Sequence, residues 1–396
     1  MIMNFLNTKD TILIKGIACL FLVITILATS ARMNAQNKDD YKDDDSLNPP
    51  TAIQSVMPSE DAPHEATWLT WVHRFTYGSE YQTSLDPTWV AMTKALLGSE
   101  KVNIIIYNQL ERRRIGGLLR NAGVSLTNVR FYIRQTDDCW IRDNGPIFVY
   151  DTNNQLKITD WGFNGWGFDT PYVLDDPLPI TVANNLGLPR VDLNSIILEG
   201  GAIETDGNGM FMATRSSTLQ NGRNTNMTQA QLESVLTTNL GVTKFIWLNG
   251  AFGGQDDITD MHIDGFAKFA PNNKIVTMSN SSLSYWGLSN ADITTLRAAT
   301  SIKNAPYTFV NLPLTANNVI TTSGENLGFK GSYVNYYVAN TVVLVPTYND
   351  ANDNSALNVI QQLYPTRTVV GIDVRNLYKQ GGMVHCVTQQ QPASRL

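Results

Sequence analysis

The sequence has few cysteines, few histidines and little charge. Three cysteines and four histidines occur in 396 residues, and charged residues make up 16% of the chain. So few cysteines exclude a small scaffold held together by disulfides. A fraction of charged residues this low is not typical of a disordered chain. The net charge of −6 makes nucleic acid a poor partner, whereas it is compatible with a small cationic substrate.

The apolar segment near the N-terminus is short. It covers residues 17–27, fewer than the roughly 20 residues that a membrane-spanning helix needs. Lys9 and Lys15 precede it, and small or polar residues follow it as far as Ala35. Residues 1–35 are therefore predicted to be a secretory signal, which places the protein in the periplasm or outside the cell and, once cleaved, leaves no stable membrane association. An uncleaved anchor is the alternative, because Met33 is large for the third position before a cleavage site.

The signal is followed by a polar segment and then by a long region without linkers. Residues 36–52 are rich in Asp, Lys, Asn and Pro. Such a segment cannot bury enough apolar surface to order itself, so we predict a flexible acidic tether. Beyond it no Gly- or Pro-rich linker occurs, and residues 53–396 are predicted to form a single domain.

Short β-branched or aromatic runs alternate with helical patterns in this domain. The predicted strands are 102–107, 129–133, 245–248, 332–338, 342–345 and 368–372. The clearest helix begins at the capping box of Thr228 and Gln231 and ends at Gly241. Further helices are predicted at 88–97, 109–122, 289–298 and 355–363. This alternation predicts a mixed α/β fold, and no sequence repeat is evident.

Cys386 is preceded by two glycines and a short apolar run and is followed by polar residues. Because glycine lets the backbone approach a ligand closely, the segment is typical of a loop that delivers a cysteine onto a strand. Two interpretations are open. The thiol is a nucleophile, or it is a buried structural thiol, since free cysteine is among the most buried residue types.

His262 is the one histidine flanked by acids. In a strand, side chains two residues apart point the same way, so His262 and Asp264 are expected to share a face. A histidine tuned by a neighbouring carboxylate can act as general acid and base, and a structural histidine is the alternative. A metal site is a third interpretation, disfavoured because no second histidine and no cysteine cluster lies nearby in the sequence.

Asp143 and Glu199 lie next to glycines. Asp143 precedes a turn signature, Asn-Gly-Pro, and an ordinary turn aspartate is the simpler interpretation. Glu199 follows an apolar run and precedes two glycines, so we expect it at the mouth of a buried strand, where a carboxylate needs a partner. The aromatic and glycine cluster at 161–167 either lines a pocket or belongs to the core. Together, one thiol, one imidazole and three acids suit attack on a planar guanidinium, which carboxylates bind bidentately.

The ordered set of motifs from about Met57 to Gln390 resembles the agmatine deiminases, a family within the guanidine-modifying superfamily. The resemblance is carried by 57–60 (MPSE), 63–68 (PHEATW), 140–146 (WIRDNGP), 160–167 (DWGFNGWG), 198–201 (LEGG), 262–264 (HID), 333–335 (YVN), 345–350 (VPTYND) and 381–390 (GGMVHCVTQQ). This resemblance implies the pentein fold, a five-bladed α/β propeller, and a reaction that uses no metal and no organic cofactor.

The resemblance also implies a role for individual residues. Carried over position by position, Cys386 is the nucleophile, His262 the general acid and base, Asp143 and Asp264 the pair that grips the guanidinium, and Glu199 the carboxylate that orients the histidine. Substrate-binding positions are expected at Trp140, Trp166, Asn335 and Asp257.

The implied function is hydrolytic deimination of agmatine to N-carbamoylputrescine and ammonia, a step of polyamine metabolism, through a covalent intermediate on cysteine. A secreted peptidylarginine or arginine deiminase is the second hypothesis, because a signal peptide is unusual for a polyamine enzyme. A non-catalytic binding protein on the same scaffold is the third. A homo-oligomer is compatible with the sequence.

Overall fold

A strand–strand–helix–strand unit recurs along the chain. The computed structural model describes residues 52–251 and 257–395. The strands are β1 (Ser55–Val56), β2 (His64–Thr70), β3 (Lys101–Ile106), β4 (Val129–Ile133), β5 (Ile147–Asp151), β6 (Leu156–Gly162), β7 (Arg190–Ile197), β8 (Ile203–Thr205), β9 (Met210–Thr214), β10 (Lys244–Leu248), β11 (Lys268–Ala270), β12 (Lys274–Met278), β13 (Thr308–Leu312), β14 (Tyr337–Val338), β15 (Val342–Thr347), β16 (Thr368–Asp373) and β17 (Gln389–Pro392). The helices are α1 (Arg74–Leu96), α2 (Gln109–Asn121), α3 (Ile141–Asn144), α4 (Gly165–Phe168), α5 (Leu178–Leu186), α6 (Gln229–Leu240), α7 (Asn280–Tyr285), α8 (Asn290–Arg297), α9 (Asp353–Leu363) and α10 (Arg375–Tyr378).

These strands form five small sheets, and in each sheet an antiparallel pair is followed by a parallel neighbour. The strand orders are β1-β5-β6-β7, β10-β9-β8, β11-β12-β13, β14-β15-β16 and β17-β2-β3-β4. In the second sheet, for example, β8 pairs antiparallel with β9, and α6 then crosses over to the parallel strand β10. Five such units are five blades, so the predicted five-bladed α/β propeller is confirmed.

The ring of blades is closed by the two ends of the folded region. The C-terminal strand β17 pairs antiparallel with β2, and β2 continues in parallel to β3 and β4. A single blade is therefore built from both termini. Antiparallel pairing at this point leaves β2 with a partner on both sides, so it presents no free edge.

Local sequence explains most of these elements. The run Val-Asn-Ile-Ile-Ile makes β3 an almost wholly buried strand, as expected for a strand inside a parallel pair. The capping box at Thr228 and the left-handed Gly241 bound α6 as predicted, and β4 has the predicted bounds. Of the predicted strand 332–338, only β14 is regular, and α1 begins well before residue 88.

Two further predictions concern segments beyond the sheets. The predicted signal, residues 1–35, and the predicted tether, residues 36–52, lie outside the described residues except for the last one. Residues 52–251 and 257–395 belong to one compact unit. No helix in residues 52–251 and 257–395 combines the length and apolar character needed to cross a membrane.

Candidate active site

Five of the predicted site residues lie in the segments just before β5, β8, β11, β14 and β17. Asp143, Glu199 and Asp264 each precede such a strand by four residues, Asn335 precedes β14 by two, and Cys386 precedes β17 by three. Short helical turns occupy four of these segments, at Ile141–Asn144, Gly200–Ala202, Ile263–Gly265 and His385–Val387. Five equivalent positions of a closed ring thus bring residues far apart in sequence to one place.

The side chains of Asp143, His262 and Asp264 meet at Gly201. A Cβ atom at this glycine would lie 2.6 Å from Asp143 Oδ1, 2.7 Å from His262 Nδ1 and 3.1 Å from Asp264 Oδ2. Its backbone N–H donates a hydrogen bond of 2.9 Å to Asp143 Oδ1. The absence of a side chain at this position therefore allows two acids and the imidazole to approach one another.

His262 is a buried imidazole held between two acids. Its Nε2 lies 2.8 Å from Glu199 Oε2, and its Nδ1 lies 3.6 Å from Asp143 Oδ1. Burial lowers the pKa of His262, but the charge of Asp143 and the hydrogen bond to Glu199 outweigh burial and raise the pKa to about 9. The ring is therefore an imidazolium at neutral pH. Since His262 precedes the helical turn Ile263–Gly265 and Asp264 lies within it, the expectation that they lie in a strand is wrong, although both reach the site.

Glu199 is fully buried and is paired with a fully buried arginine. Arg223 Nε donates to Glu199 Oε1 at 2.9 Å, and Arg223 also forms an ion pair with Asp260. Burial raises the pKa of Glu199, but the charges of Arg223 and His262 outweigh it, so the net pKa lies below the ordinary value. The expected partner of this carboxylate is thus present. The expectation of a buried strand leading to it is wrong, because β7 is largely exposed.

Asp143 lies in α3 and is buried, so it is not an ordinary turn aspartate. Its Oδ2 accepts a hydrogen bond of 3.2 Å from the indole of Trp166. Burial raises the pKa of Asp143 to about 6, in spite of the opposing charge of His262. This carboxylate is consequently ionised at neutral pH and lies at the wall of a cavity.

Asp264 faces a histidine that the sequence analysis did not single out. His385 Nδ1 lies 2.7 Å from Asp264 Oδ2, and His385 Nε2 lies 2.6 Å from Glu60 Oε2. Glu60 in turn contacts Lys268 at 3.3 Å. Burial raises the pKa of Asp264, but the hydrogen bond and charge of His385 outweigh it and leave the pKa below its ordinary value. Asp264 is therefore a fixed anion.

Cys386 is buried against Asn335 and near Asp264. Asn335 Nδ2 donates to the Cys386 Sγ at 3.3 Å, and the Sγ lies 3.9 Å from Asp264 Oδ2. Burial, together with the charges of Asp264 and Asp143, raises the pKa of the thiol well above its ordinary value. Without a bound cation the sulfur thus carries its proton at neutral pH.

A cavity of about 170 Å³ reaches both the thiol and Asp143. Its lining residues are Tyr77, Tyr81, Asp138, Trp140, Asp143, Trp166, Thr170, Ile258, Thr259, Gln380, Gly381 and Cys386. Within the described part of the chain, this lining contains no lysine, arginine or histidine. Trp140 and Trp166 pack edge to face, with ring centroids 6.4 Å apart. A larger cavity of about 510 Å³ lies around Glu204, Lys268 and Tyr307, and its lining includes none of the predicted catalytic residues.

Two of the predicted substrate-binding residues lie outside the cavity lining. Asp257 is exposed, and its carboxylate accepts hydrogen bonds from the backbone N–H groups of Thr259 and Met261 at 2.9 and 3.1 Å. Its carboxylate thus stabilises the local turn, since short acidic side chains commonly bond backbone N–H groups nearby. Asn335 lies behind the thiol, where its Oδ1 also accepts from the His385 N–H at 2.9 Å.

No group of three or more histidine, cysteine, aspartate or glutamate residues in the described ranges is arranged to hold a metal ion. Both cysteines of this region are free thiols.

Residues 56–392 match the family described as Porphyromonas-type peptidyl-arginine deiminase. The chain belongs to this family. It is 30% identical over 368 residues to an agmatine deiminase of Pseudomonas fluorescens, covering 87% of this chain and 97% of that protein. The structure resembles an agmatine deiminase of Enterococcus faecalis, with a TM-score of 0.75, 26% identity and coverage of 86% and 96% of the two chains. It also resembles a cysteine-to-serine variant of a C. jejuni agmatine deiminase with substrate bound, with a TM-score of 0.73, 25% identity and coverage of 86% and 97%.

Among the residues that surround this deiminase site, three were missed from the sequence. Glu60 and His385 fall inside motifs that carry the resemblance, so their presence near the site could have been inferred. Arg223 has no comparable signal, because it lies in a polar stretch of Gly and Asn. Its role as the partner of Glu199 follows only from the fold.

Proposed function

We propose that this protein hydrolyses agmatine to N-carbamoylputrescine and ammonia, with Cys386 as nucleophile. The observation that carries the proposal is that Asp143, His262 and Asp264 meet at Gly201, while Cys386 lies 3.9 Å from Asp264 and lines one small cavity with Asp143. The named relatives are agmatine deiminases, which supports the choice of substrate.

Binding of the substrate supplies the charge that the free site lacks. Asp143 and Asp264 are anions that can pair with a planar guanidinium and hold its carbon in line with the sulfur. The same anions raise the pKa of Cys386 in the free protein. A bound guanidinium neutralises them, so the thiol loses its proton and becomes the reactive thiolate.

The chemical steps then follow from the protonation state of His262. The sulfur forms a bond to the guanidinium carbon, the imidazolium gives its proton to the departing nitrogen, and the carbon–nitrogen bond breaks to release ammonia. An amidino group remains bound to Cys386. Neutral His262 next takes a proton from water, which attacks the same carbon, and the carbon–sulfur bond breaks to give the ureido product. Glu199, held by Arg223, orients the imidazole throughout.

The cavity also favours agmatine over arginine. Free arginine carries a carboxylate, which would need a cationic partner or a cost in desolvation. No lysine, arginine or histidine of the described residues lines the cavity. Its volume of about 170 Å³ suits a small substrate better than a peptide.

A substrate panel tests the proposal. We expect ammonia release from agmatine, much less from free arginine, and less again from an arginine-containing peptide. Cys386→Ala should abolish release from all three, and activity surviving in this variant would rule out the mechanism. Faster release from the peptide would instead favour a peptidylarginine deiminase.

Alkylation separates an enzyme from a binding protein on the same scaffold. A haloacetamidine carries a guanidinium-like cation, so it should modify Cys386 and leave Cys139, which is buried beside Tyr81, unmodified. Absence of modification at Cys386 would favour the binding protein. Mass spectrometry of digested protein distinguishes the two sites.

The proposals on location and assembly come from the sequence alone. Residues 1–35 are proposed to direct export to the periplasm or the medium, with cleavage after Ala35. Fractionation of the native cells, with the mass of the mature N-terminus, checks this, and a protein retained with its first 35 residues would contradict cleavage. The homo-oligomer stays a prediction that light scattering of the purified protein checks.

A further inference from the structure

Asp138 is a buried carboxylate in the cavity lining that the steps above do not use. It accepts hydrogen bonds from the Tyr81 hydroxyl at 2.6 Å, the Cys139 N–H at 2.8 Å and the Trp140 indole at 2.9 Å. All three donors are neutral. These hydrogen bonds satisfy carboxylate oxygens but supply no positive charge to neutralise the ionised acid.

A second buried acid lies next to it. Asp175 is 1% exposed and accepts hydrogen bonds from the N–H groups of Asp137 and Asp138 at 2.7 and 3.1 Å. Burial, followed by the charge of Asp138, raises the pKa of Asp175 well above its ordinary value. Neither acid forms an ion pair with any described residue. The described residues therefore supply no cation to this pair of buried acids, and an organic cation beside Asp138 would stabilise its ionised form.

Aromatic rings surround Asp138 on the cavity side. Tyr77, Tyr81 and Trp140 line the cavity with it, and the rings of Tyr77 and Tyr81 lie 5.0 Å apart. Aromatic faces attract ammonium ions. A carboxylate inside a set of aromatic rings is the arrangement that binds an organic ammonium.

The position of Asp138 relative to the guanidinium site follows from a chain of contacts. Asp143 bonds the Trp166 indole, Trp166 packs against Trp140, and the Trp140 indole bonds Asp138. Two indole rings thus separate the two carboxylates. Agmatine has the same pattern, with apolar methylenes between a guanidinium and an ammonium.

We infer that Asp138, with the aromatic rings of Tyr77, Tyr81 and Trp140, binds the distal ammonium of the substrate and determines the preference for a guanidine that carries a second positive charge. This inference rests on the proposed deimination of agmatine and assigns the residues that select it. Trp140 and Trp166 then cover the methylenes between the two charges.

The test compares agmatine with pentylguanidine, in which a methyl group replaces the ammonium. The wild-type protein should prefer agmatine in kcat/KM, and Asp138→Asn should reduce the ratio of the two kcat/KM values about 10- to 100-fold, because a charged hydrogen bond is lost. The loss should fall on agmatine and leave pentylguanidine nearly unchanged. Asp138→Glu, which keeps the charge, should retain most of the preference.

Asp137→Asn is the matched control. Asp137 is the preceding residue, its carboxylate accepts the Leu174 N–H at 2.8 Å, and it is absent from the cavity lining. Its substitution should leave the ratio unchanged.

Three outcomes would overturn the inference. The first is a wild-type protein with no preference for agmatine, the second an unchanged ratio in Asp138→Asn, and the third an equal loss for both substrates, which would show that the carboxylate only shapes the pocket. Turnover of neither guanidine by the wild type would instead contradict the proposed function.

Discussion

At the scale of single residues, charge compensation organises the site. His262 and His385 each lie between two acids, Asp143 and Glu199 for the first and Asp264 and Glu60 for the second. His262, whose pKa is raised to about 9, faces both of its acids with a positive charge at neutral pH. His385 connects Asp264 to Glu60 through its two ring nitrogens. The anions that grip the substrate are thus held in place by histidines that do not line the cavity.

This arrangement predicts the pH dependence of catalysis. Asp143, with its pKa raised to about 6 by burial, must be ionised, and His262, with a pKa of about 9, must be protonated. The kcat/KM for agmatine should therefore fall below about pH 6 as Asp143 gains a proton, and fall above about pH 9 as His262 loses one. Initial rates from about pH 5 to about pH 10 check this.

The alkaline side is the sharper part of this prediction. If the free thiol had to ionise before the substrate binds, the gain in thiolate above pH 9 would offset the loss of protonated His262 and the rate would level off, because burial and two aspartates raise the pKa of Cys386 well above its ordinary value. A plateau in place of the expected fall would contradict activation of the thiol by the bound cation.

At the scale of elements, the segments that lead into the blades position the chemistry. Gly200 and Gly201 form the turn between Glu199 and β8, and a Cβ at Gly201 would approach Asp143, His262 and Asp264 within 2.6 to 3.1 Å. Contacts below about 3 Å force atoms to move, and a displacement of about 1 Å in a site can cost about 100-fold in rate.

Gly201→Ala should therefore lower kcat/KM for agmatine by about 100-fold or more while the protein remains folded. The matched control is Gly117→Ala in α2, where no atom lies within 4 Å of the added Cβ. Alanine in a helix is favoured over glycine by about 0.5–1 kcal/mol, so this control should raise the free energy of unfolding and leave activity unchanged. Steady-state kinetics and denaturant unfolding measure both effects. Equal activity of the two variants would show that the close approach at Gly201 is unimportant.

The same segments show what could be predicted from sequence. Strands such as β4 and the capped helix α6 were predictable, because β-branched runs and caps are local signals. Cys386, His262 and Asp143 were recognisable from motifs. Arg223 was not, because its contacts with Glu199 and Asp260 join segments that only the ring brings together. Asp257 was expected to face the substrate, but a nearby backbone turn uses its carboxylate.

The five-fold repeat was also invisible in the sequence. The equivalent positions are occupied by Asp143, Glu199, Asp264, Asn335 and Cys386. Because each position has its own chemical task, the side chains differ while the backbone pattern recurs. A repeat preserved in hydrogen bonding rather than in residue identity leaves little periodicity to detect.

At the scale of the whole molecule, the closing strand β17 connects stability to catalysis. Its glutamines form hydrogen bonds with buried partners. Gln389 donates to the Pro146 carbonyl at 2.5 Å, and Gln390 and Gln391 accept from Arg142 at 2.8 Å and from the Trp68 indole at 3.0 Å. Loss of the strand leaves these groups without partners, at about 1–3 kcal/mol for each buried group, and exposes the edge of β2.

A chain ending at Thr388 should therefore unfold at a markedly lower temperature and lose activity, although Cys386 is still present. A chain ending at Ala393 is the control, since it keeps β17 and loses only contacts of the residues after it, such as that of Arg395 with the Tyr150 ring, worth about 0.5–1 kcal/mol. Thermal unfolding and ammonia release from agmatine compare the two. Similar melting of both chains would show that the ring does not need its closing strand.

The position of this strand has a consequence for biosynthesis. During synthesis β2 is made long before β17, its antiparallel partner, and long before Cys386. Until β17 has been made, the ring of blades stays open at β2 and the site lacks its sulfur. Co-translational folding can therefore complete the other four blades before the one that closes the ring.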